Sequence, residues 1–181
     1  MRQRSLKTII MGIDPGLANT GWGIIEESGS KKRALAYGCI STAAEDDTAQ
    51  RLKSIHDQIC AVIERYQPTE LGIESIFFGT NAKSAMATGQ ARGAALVAAA
   101  FAQLNIGEYS PKQIKQVVVG TGAADKSQVQ YMVRALLGLD HTPTPDHAAD
   151  ALAAAICHAH LREMNNLARV VEAVQQGEGE R

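Results

Sequence analysis

Apolar residues recur along this chain with two different periods, and the switches between them divide it into elements. Residues 7–13, KTIIMGI, form a short apolar run that ends at Asp14 and a Pro15-Gly16 turn. Two more short runs, GWGIIEE (21–27) and ALAYGCIST (34–42), read as strands, with the polar SGSKKR (28–33) as the hairpin loop between them. From Thr48 the period lengthens. Leu52, Ile55, Ile59, Val62, Ile63 and Tyr66 fall at steps of three and four, which predicts a one-sided helix over 48–66, stopped by Pro68. Strand character returns in ELGIESIFF, where Glu74 closes the apolar part. The Ala- and Gly-rich stretch 82–104 predicts a helix able to pack very closely on a neighbour, and IGEY (106–109) a fifth strand. Further helices are expected at about 111–119, 126–137 and 147–161, followed from Glu163 by a Gln-, Gly- and Glu-containing tail that frays.

The order β-β-β-α-β-α-β-α, closed by a last helix, predicts an α/β fold. Three antiparallel strands would be followed by parallel ones in a mixed sheet with helices on its faces. No repeat or linker interrupts it, so one domain is expected over 1–161, with a partly disordered tail over 162–181.

Composition narrows the class. With 45% hydrophobic residues in 181, the chain can bury a core. Its three cysteines, Cys39, Cys60 and Cys157, are odd in number and lack C-x-x-C spacing, which speaks for a reducing compartment without a disulfide framework or zinc site. Arg2, Arg4 and Lys7 precede an apolar stretch too short for a signal segment or a membrane span, so a cytoplasmic location is expected. The net charge of −1 hides a segregation: residues 83–134 carry six basic and two acidic groups, whereas 14–82 and 135–181 are both acidic. Acids beside a basic surface suit a metal site acting on a polyanion, although a merely solvated surface gives the same pattern.

Three acids then attract notice. Asp14 ends the first strand, Glu74 ends the fourth, and Asp150 lies in the first turns of the last helix, three residues after His147 and so on the same helix face. Two strand-end acids and a helix acid form a cage suited to hard divalent cations. Taken singly, each has a plainer reading: Asp14 as a turn residue before Pro-Gly, Asp146 as a helix-start acid, Asp150 as a surface acid. DPGLANTG suits a phosphate-cradling loop equally well.

The segments GIDPGLANTGWGII, GIESIFF, NAKSAMATGQARGAALVAAA, YSPKQIKQVVVGTGAADKSQVQYMV and DHAADALAAAICHAH, in this order over residues 8 to 160, resemble the RuvC family of bacterial Holliday-junction resolvases. GIDPG alone occurs in actin-like ATPases too, but GQARG followed by VVGTGAADKSQVQ is specific. The resemblance implies a ribonuclease-H-like fold, a homodimer, and metal-dependent paired nicking of four-way DNA junctions in recombination and repair. It also implies two Mg²⁺ ions per site (Mn²⁺ able to replace them) and work alongside the RuvA and RuvB branch-migration complex. Its catalytic acids fall on Asp14, Glu74 and Asp150. Its fourth position, usually aspartate, falls on His147, either as a metal ligand or as a group that positions water or takes its proton. Lys115 and Lys126 match lysines near the scissile backbone, with Lys83, Arg92 and Lys112 as weaker DNA contacts. Phe77 matches an aromatic that stacks at the junction centre. The competing expectations are an actin-type ATPase, which would need a second domain, and a junction-binding module that has lost catalysis.

Overall fold

Strand alternation places all the polar groups that matter on one face of one sheet. The computed structural model describes residues 7–76 and 82–178, with side-chain surroundings up to Arg162. Its elements run β1 (Lys7–Asp14), β2 (Asn19–Ser28), β3 (Lys31–Ser41), α1 (Thr48–Tyr66), β4 (Glu70–Glu74), α2 (Ala82–Phe101), β5 (Asn105–Tyr109), α3 (Pro111–Val119), α4 (Lys126–Leu137) and α5 (Asp146–Glu178). The five strands form one sheet in the order β3-β2-β1-β4-β5. β1, β2 and β3 pair antiparallel, while β4 and β5 join parallel to β1, as the element order predicts.

Two boundaries differ from the sequence reading. The hairpin loop is only Gly29-Ser30, because Lys32 and Arg33 extend β3 and face Glu27 and Glu26 across the pair at 2.9 and 2.8 Å. Cross-strand opposite charges favour pairing, so a segment polar enough to read as loop became strand. Helix α5 runs on to Glu178 rather than ending near 161, since LREMNNLARVVEAVQQ is made largely of good helix formers even where the apolar period fades.

Two cores lie on the two sides of the sheet. Met11 and Ile13 of β1 and Leu71 and Ile73 of β4 face α1 and α2, with Ile55, Ile59, Ala91, Ala95, Ala98 and Ala99 closing that side. The other side belongs to α3, α4 and α5, where Ile114, Val118, Val129, Val133 and the alanines of α5 gather around Ile10 and Ile25. The alternate residues Ile10, Gly12 and Asp14 of β1, and Glu70, Gly72 and Glu74 of β4, therefore look toward α5.

The registers align Gly23 with Gly12, Gly12 with Gly72, and Gly72 with Gly107, so four neighbouring strands carry glycine in one row. Helix α5 lies in the trench this leaves. A Cβ at Gly12 would come 1.9 Å from the carbonyl oxygen of Ala151, and one at Gly72 would come 2.5 Å from that of Ala154. Close approach of backbone to backbone requires glycine on one side and small residues on the other. Ala148, Ala151, Ala154 and Ala155 are all fully buried on α5. The depth of this contact brings the first turns of α5 down to the ends of β1 and β4.

Candidate metal-binding active site

Asp14 is the last residue of β1, and its backbone pairs with Gly21 of β2. A Cβ on Gly21 would touch the carbonyl oxygen of His147 at 1.9 Å, so the start of α5 sits directly above this strand end. His147 Nδ1 lies 2.7 Å from Asp14 Oδ2. One helical turn later, Asp150 projects from the same face, as the three-residue spacing predicts. Asp14, His147 and Asp150 each offer a ligand atom within 4.8 Å of the others. Glu74 reaches the group from the parallel strand β4, and shares with Asp150 a cavity of about 230 Å³.

The electrostatics of the group are those of acids held too close together. Glu74 is pushed up to about 7, first by burial, then by the charges of Asp14 and Asp150, with Lys115 opposing. Asp14 is raised by burial and by Asp150, although its contact with His147 pulls the other way. Asp150 is also raised, mainly by burial, against the pull of Lys126. Asp14 and Asp150 disfavour their own ionisation and, with His147, form a donor set that a hard divalent cation would satisfy; Glu74 stands outside that close group and is linked to it by charge and by the shared cavity. The residues fit such an ion.

Basic groups stand at the rim. Lys126, the first residue of α4, places Nζ 3.0 Å from Asp146 and 3.6 Å from Asp150. Lys115 of α3 lines the same cavity as Glu74 and Asp150. Asp146 has its carboxylate held low by Lys126 and receives a further hydrogen bond from Gln130 at 3.0 Å, so it steadies the rim lysine and stands outside the metal group. The loop after Asp14 is tied to itself: the Thr20 hydroxyl, fully buried, donates to the Gly16 carbonyl at 2.7 Å.

The other residues singled out in the sequence scatter. Lys83 is exposed in the first turn of α2, and Lys112 is exposed on α3 with its stem close to Gly122; neither lines the cavity. Arg92 is drawn away from the acids altogether, since its guanidinium pairs with Glu108 of β5. Phe77 lies outside the described residues.

Two features escaped sequence reasoning. One is the glycine row, although its signal was present: MGID and LGIE repeat one pattern, in which a glycine two residues before an acid must share that acid's face. The other is a second polar cluster about three turns further along α5. There His158 bridges the Tyr109 hydroxyl at 2.9 Å and Glu70 at 2.8 Å. Arg162 joins Glu70 at 3.1 Å to Glu27, which Lys32 also contacts.

Comparison with known proteins is consistent along the chain. Residues 10–158 match the family model for crossover junction endodeoxyribonuclease RuvC. The RuvC enzyme of Moorella thermoacetica is 51% identical over 151 residues, covering 83% of this chain and 90% of its own. That of Photobacterium profundum is 54% identical over 156 residues, covering 86% and 89%. Among solved structures, Thermus thermophilus RuvC in complex with a Holliday-junction substrate superposes with a TM-score of 0.83 at 36% identity, covering 87% of this chain and 96% of that one. The yeast mitochondrial resolvase Ydc2 shares the fold alone, with a TM-score of 0.61 at 13% identity.

Proposed function

Because the chain belongs to the RuvC family of crossover junction endodeoxyribonucleases, we propose that it resolves four-way DNA junctions by paired, symmetric hydrolysis of phosphodiester bonds. The observation that carries this reading is the convergence of Asp14, His147 and Asp150 at the start of α5, next to a cavity that Asp150 shares with Glu74, Lys115 and Lys126. Asp14, Asp150 and His147 would hold one divalent cation, and Glu74 with Asp150 or Asp14 a second, with Mg²⁺ as the natural choice for a set dominated by oxygen. Bound there, such ions supply Lewis acidity to the phosphate and a hydroxide at neutral pH.

The chain's own residues have separate tasks. Asp14, fixed at a strand end between the two other acids, is the ligand best placed to be shared. His147 turns Nδ1 toward Asp14 Oδ2: protonated there, it orients that carboxylate and leaves Nε2 to take the proton of an attacking water, and deprotonated there, it would ligate the same ion as Asp14 and Asp150. Lys126 pairs with Asp150 and Asp146; with Asp150 committed to a cation, its ammonium would be free to engage the DNA backbone. Lys115, on the Glu74 side, acts on the same strand, and its charge makes affinity salt-dependent. Phe77 would stack on an unpaired base at the junction centre.

Symmetric nicking of a near-two-fold junction calls for a homodimer with two sites related by the same axis. Met86, Val97 and Phe101 recur along one exposed side of α2, beside the exposed Ile106 of the edge strand β5; this apolar stripe is where a second copy docks. No helix among the described residues is long and apolar enough to cross a membrane. A cytoplasmic enzyme acting after the RuvA and RuvB branch-migration complex completes the reading.

A synthetic four-way junction, incubated with the protein and Mg²⁺ or Mn²⁺, should be cut at paired symmetric positions. Asp14→Asn should lower the rate at least about a thousandfold, on the scale of lost catalytic electrostatics, while leaving the melting temperature unchanged or higher. Absence of nicking with both metals would overturn the proposal.

A further inference from the structure

The acids have a groove on each side, and only one of the two has been given a task. The Glu74 side is lined by Lys115 and Lys126. On the His147 side lies a second groove of about 360 Å³, lined by the loop from Gly16 to Asn19, by Ser84, Ala87 and Thr88 of α2, and by Arg51 of α1. Among its lining residues Arg51 carries the one permanent positive charge.

Arg51 is held in place. Its Nε donates to the Thr42 hydroxyl at 2.8 Å. Thr42 in turn donates its hydroxyl to the Leu17 carbonyl at 2.6 Å and its backbone N–H to the Ala18 carbonyl at 3.0 Å. The guanidinium is thereby clamped to the loop that follows the catalytic Asp14. This anchoring uses one of five N–H donors. Among the described residues, no carboxylate lies within ion-pair reach of the remaining fork, in contrast to Arg33, Arg92 and Arg162, each paired with a glutamate. A half-buried, oriented guanidinium without an anion, beside a site that cuts a polyanion, has the geometry of a phosphate receptor.

We infer that Arg51 binds a phosphate of the cleaved strand flanking the scissile one, on the side opposite Lys115 and Lys126. The strand then crosses the acids with a cation gripping it before and after the cut. Ser84, Thr88 and the loop give this groove polar walls, and the scissile phosphate is positioned from two directions. This inference rests on the nuclease reading of the site.

The test is a set of four-way junctions, each with a neutral methylphosphonate replacing one phosphate within two nucleotides of the cut. Single-turnover cleavage is measured with wild type, Arg51→Gln and Arg51→Lys. Arg51→Gln should weaken cleavage of the unmodified junction roughly tenfold, the scale of one charge-assisted contact, mainly through the half-saturating enzyme concentration. At one flanking position, the methylphosphonate should slow wild type by a similar factor and Arg51→Gln not at all. Arg51→Lys should recover part of the sensitivity at that same position. If Arg51→Gln loses the same factor as wild type at every position, or cleaves the unmodified junction as wild type does, the phosphate contact is refuted. A merely structural role for Arg51 would lower the melting temperature and slow all substrates uniformly, which also refutes it. Failure of wild type to nick the unmodified junction would instead count against the nuclease reading itself.

Discussion

Helix α5 carries a polar cluster at each end of its contact with the sheet, and the two are built from similar parts to opposite effect. Near its start, His147 and Asp150 meet Asp14 and Glu74; about three turns on, His158 and Arg162 meet Glu70 and Glu27. Each end has a histidine against a strand carboxylate, at 2.7 Å and 2.8 Å. At the far end every acid has a cation: Arg162 spans Glu70 and Glu27, Lys32 adds to Glu27, and Tyr109 occupies the other nitrogen of His158. At the near end the helix contributes another acid where the far end has arginine, and the carboxyls are raised by burial and by one another. Acids each matched by a cation hold a structure together; acids crowded against one another are tolerated for what they bind.

Both clusters depend on the glycine trench between them, so the largest effect should follow from filling it. In Gly12→Ala, the methyl group meets the Ala151 carbonyl and the Ala155 amide with no flexible side chain to yield. We expect a loss of at least about 4 kcal/mol, enough to make the protein insoluble or to erase its cooperative melting, and junction cleavage should go with it. A soluble Gly12→Ala protein with normal cleavage would mean that α5 does not need this depth to form the site.

Arg162→Ala should separate the ends. It leaves Glu27, 3% exposed, and Glu70 without their shared partner. Glu27 keeps Lys32 and Glu70 keeps His158, so the loss should stay below that of a fully stranded charge, at about 2–3 kcal/mol, or roughly 4–12 °C in a domain of this size. Cleavage at a temperature where the variant is still folded should stay within a few-fold of wild type. A cleavage defect far exceeding the stability loss would show that the far cluster belongs to the catalytic apparatus.

How much of this was legible beforehand follows the kind of signal each part leaves. Among the described residues, the runs around Ile10 and Leu71 gave strands and the stepped apolar face of α1 a helix, while α2 was read from its Ala and Gly content and not from any period. Period alone put Asp14 and Glu74 at strand ends and Asp150 on a helix face, where each also had a plainer reading; the assignment of all three to one site came from the family resemblance. The far cluster was not legible, because Glu27, Glu70, His158 and Arg162 lie in four different runs and look like ordinary solvated residues until the sheet register brings them together. The pairing of Arg92 was hidden for the same reason: its charge was visible in the sequence, and its partner Glu108 on the edge strand β5 was not. The end of α5 was misplaced because the reading followed the apolar period, which fades near 161, whereas the residues beyond it are largely good helix formers.

The two ends should also differ in how they respond to pH and metal. Glu74 titrates near 7 in the folded protein against an ordinary 4.5. Below pH 4.5 the carboxyl is protonated folded or unfolded, and stability is unaffected. Between 4.5 and 7 the folded state keeps a proton that the unfolded state has released, so stability falls as pH rises, and the full cost is present above 7. Asp14 and Asp150, also raised, add in the same direction. The metal-free protein should therefore melt lower at pH 8 than at pH 5.5, by about 5 °C for a cost on the order of 2 kcal/mol. Millimolar Mg²⁺ should restore most of this at pH 8 and little at pH 5.5, and Glu74→Gln should flatten the profile. A Mg²⁺ response of equal size at both pH values would place the ion somewhere other than at these acids.

The smallest effect should distinguish the two histidines. His158 has both ring nitrogens engaged and a side chain only 6% exposed, so it has no lone pair to give. His147 has one nitrogen against Asp14 and a side chain 42% exposed, which leaves the other nitrogen open among the described residues. Imidazole in an oxygen-rich set shifts preference from Mg²⁺ toward Mn²⁺. His147→Asp should lower the Mn²⁺-to-Mg²⁺ ratio of cleavage rates a few-fold with little change in melting temperature. His158→Gln should do the reverse, lowering stability by about 1–3 kcal/mol through the lost contacts to the Tyr109 hydroxyl and to Glu70 Oε2, while Arg162 still holds Glu70 and the metal ratio is unchanged. If His147→Asp leaves the ratio where it was, then its contact with Asp14 serves to orient that carboxylate or to accept a proton from water, and the metal is held by the acids alone.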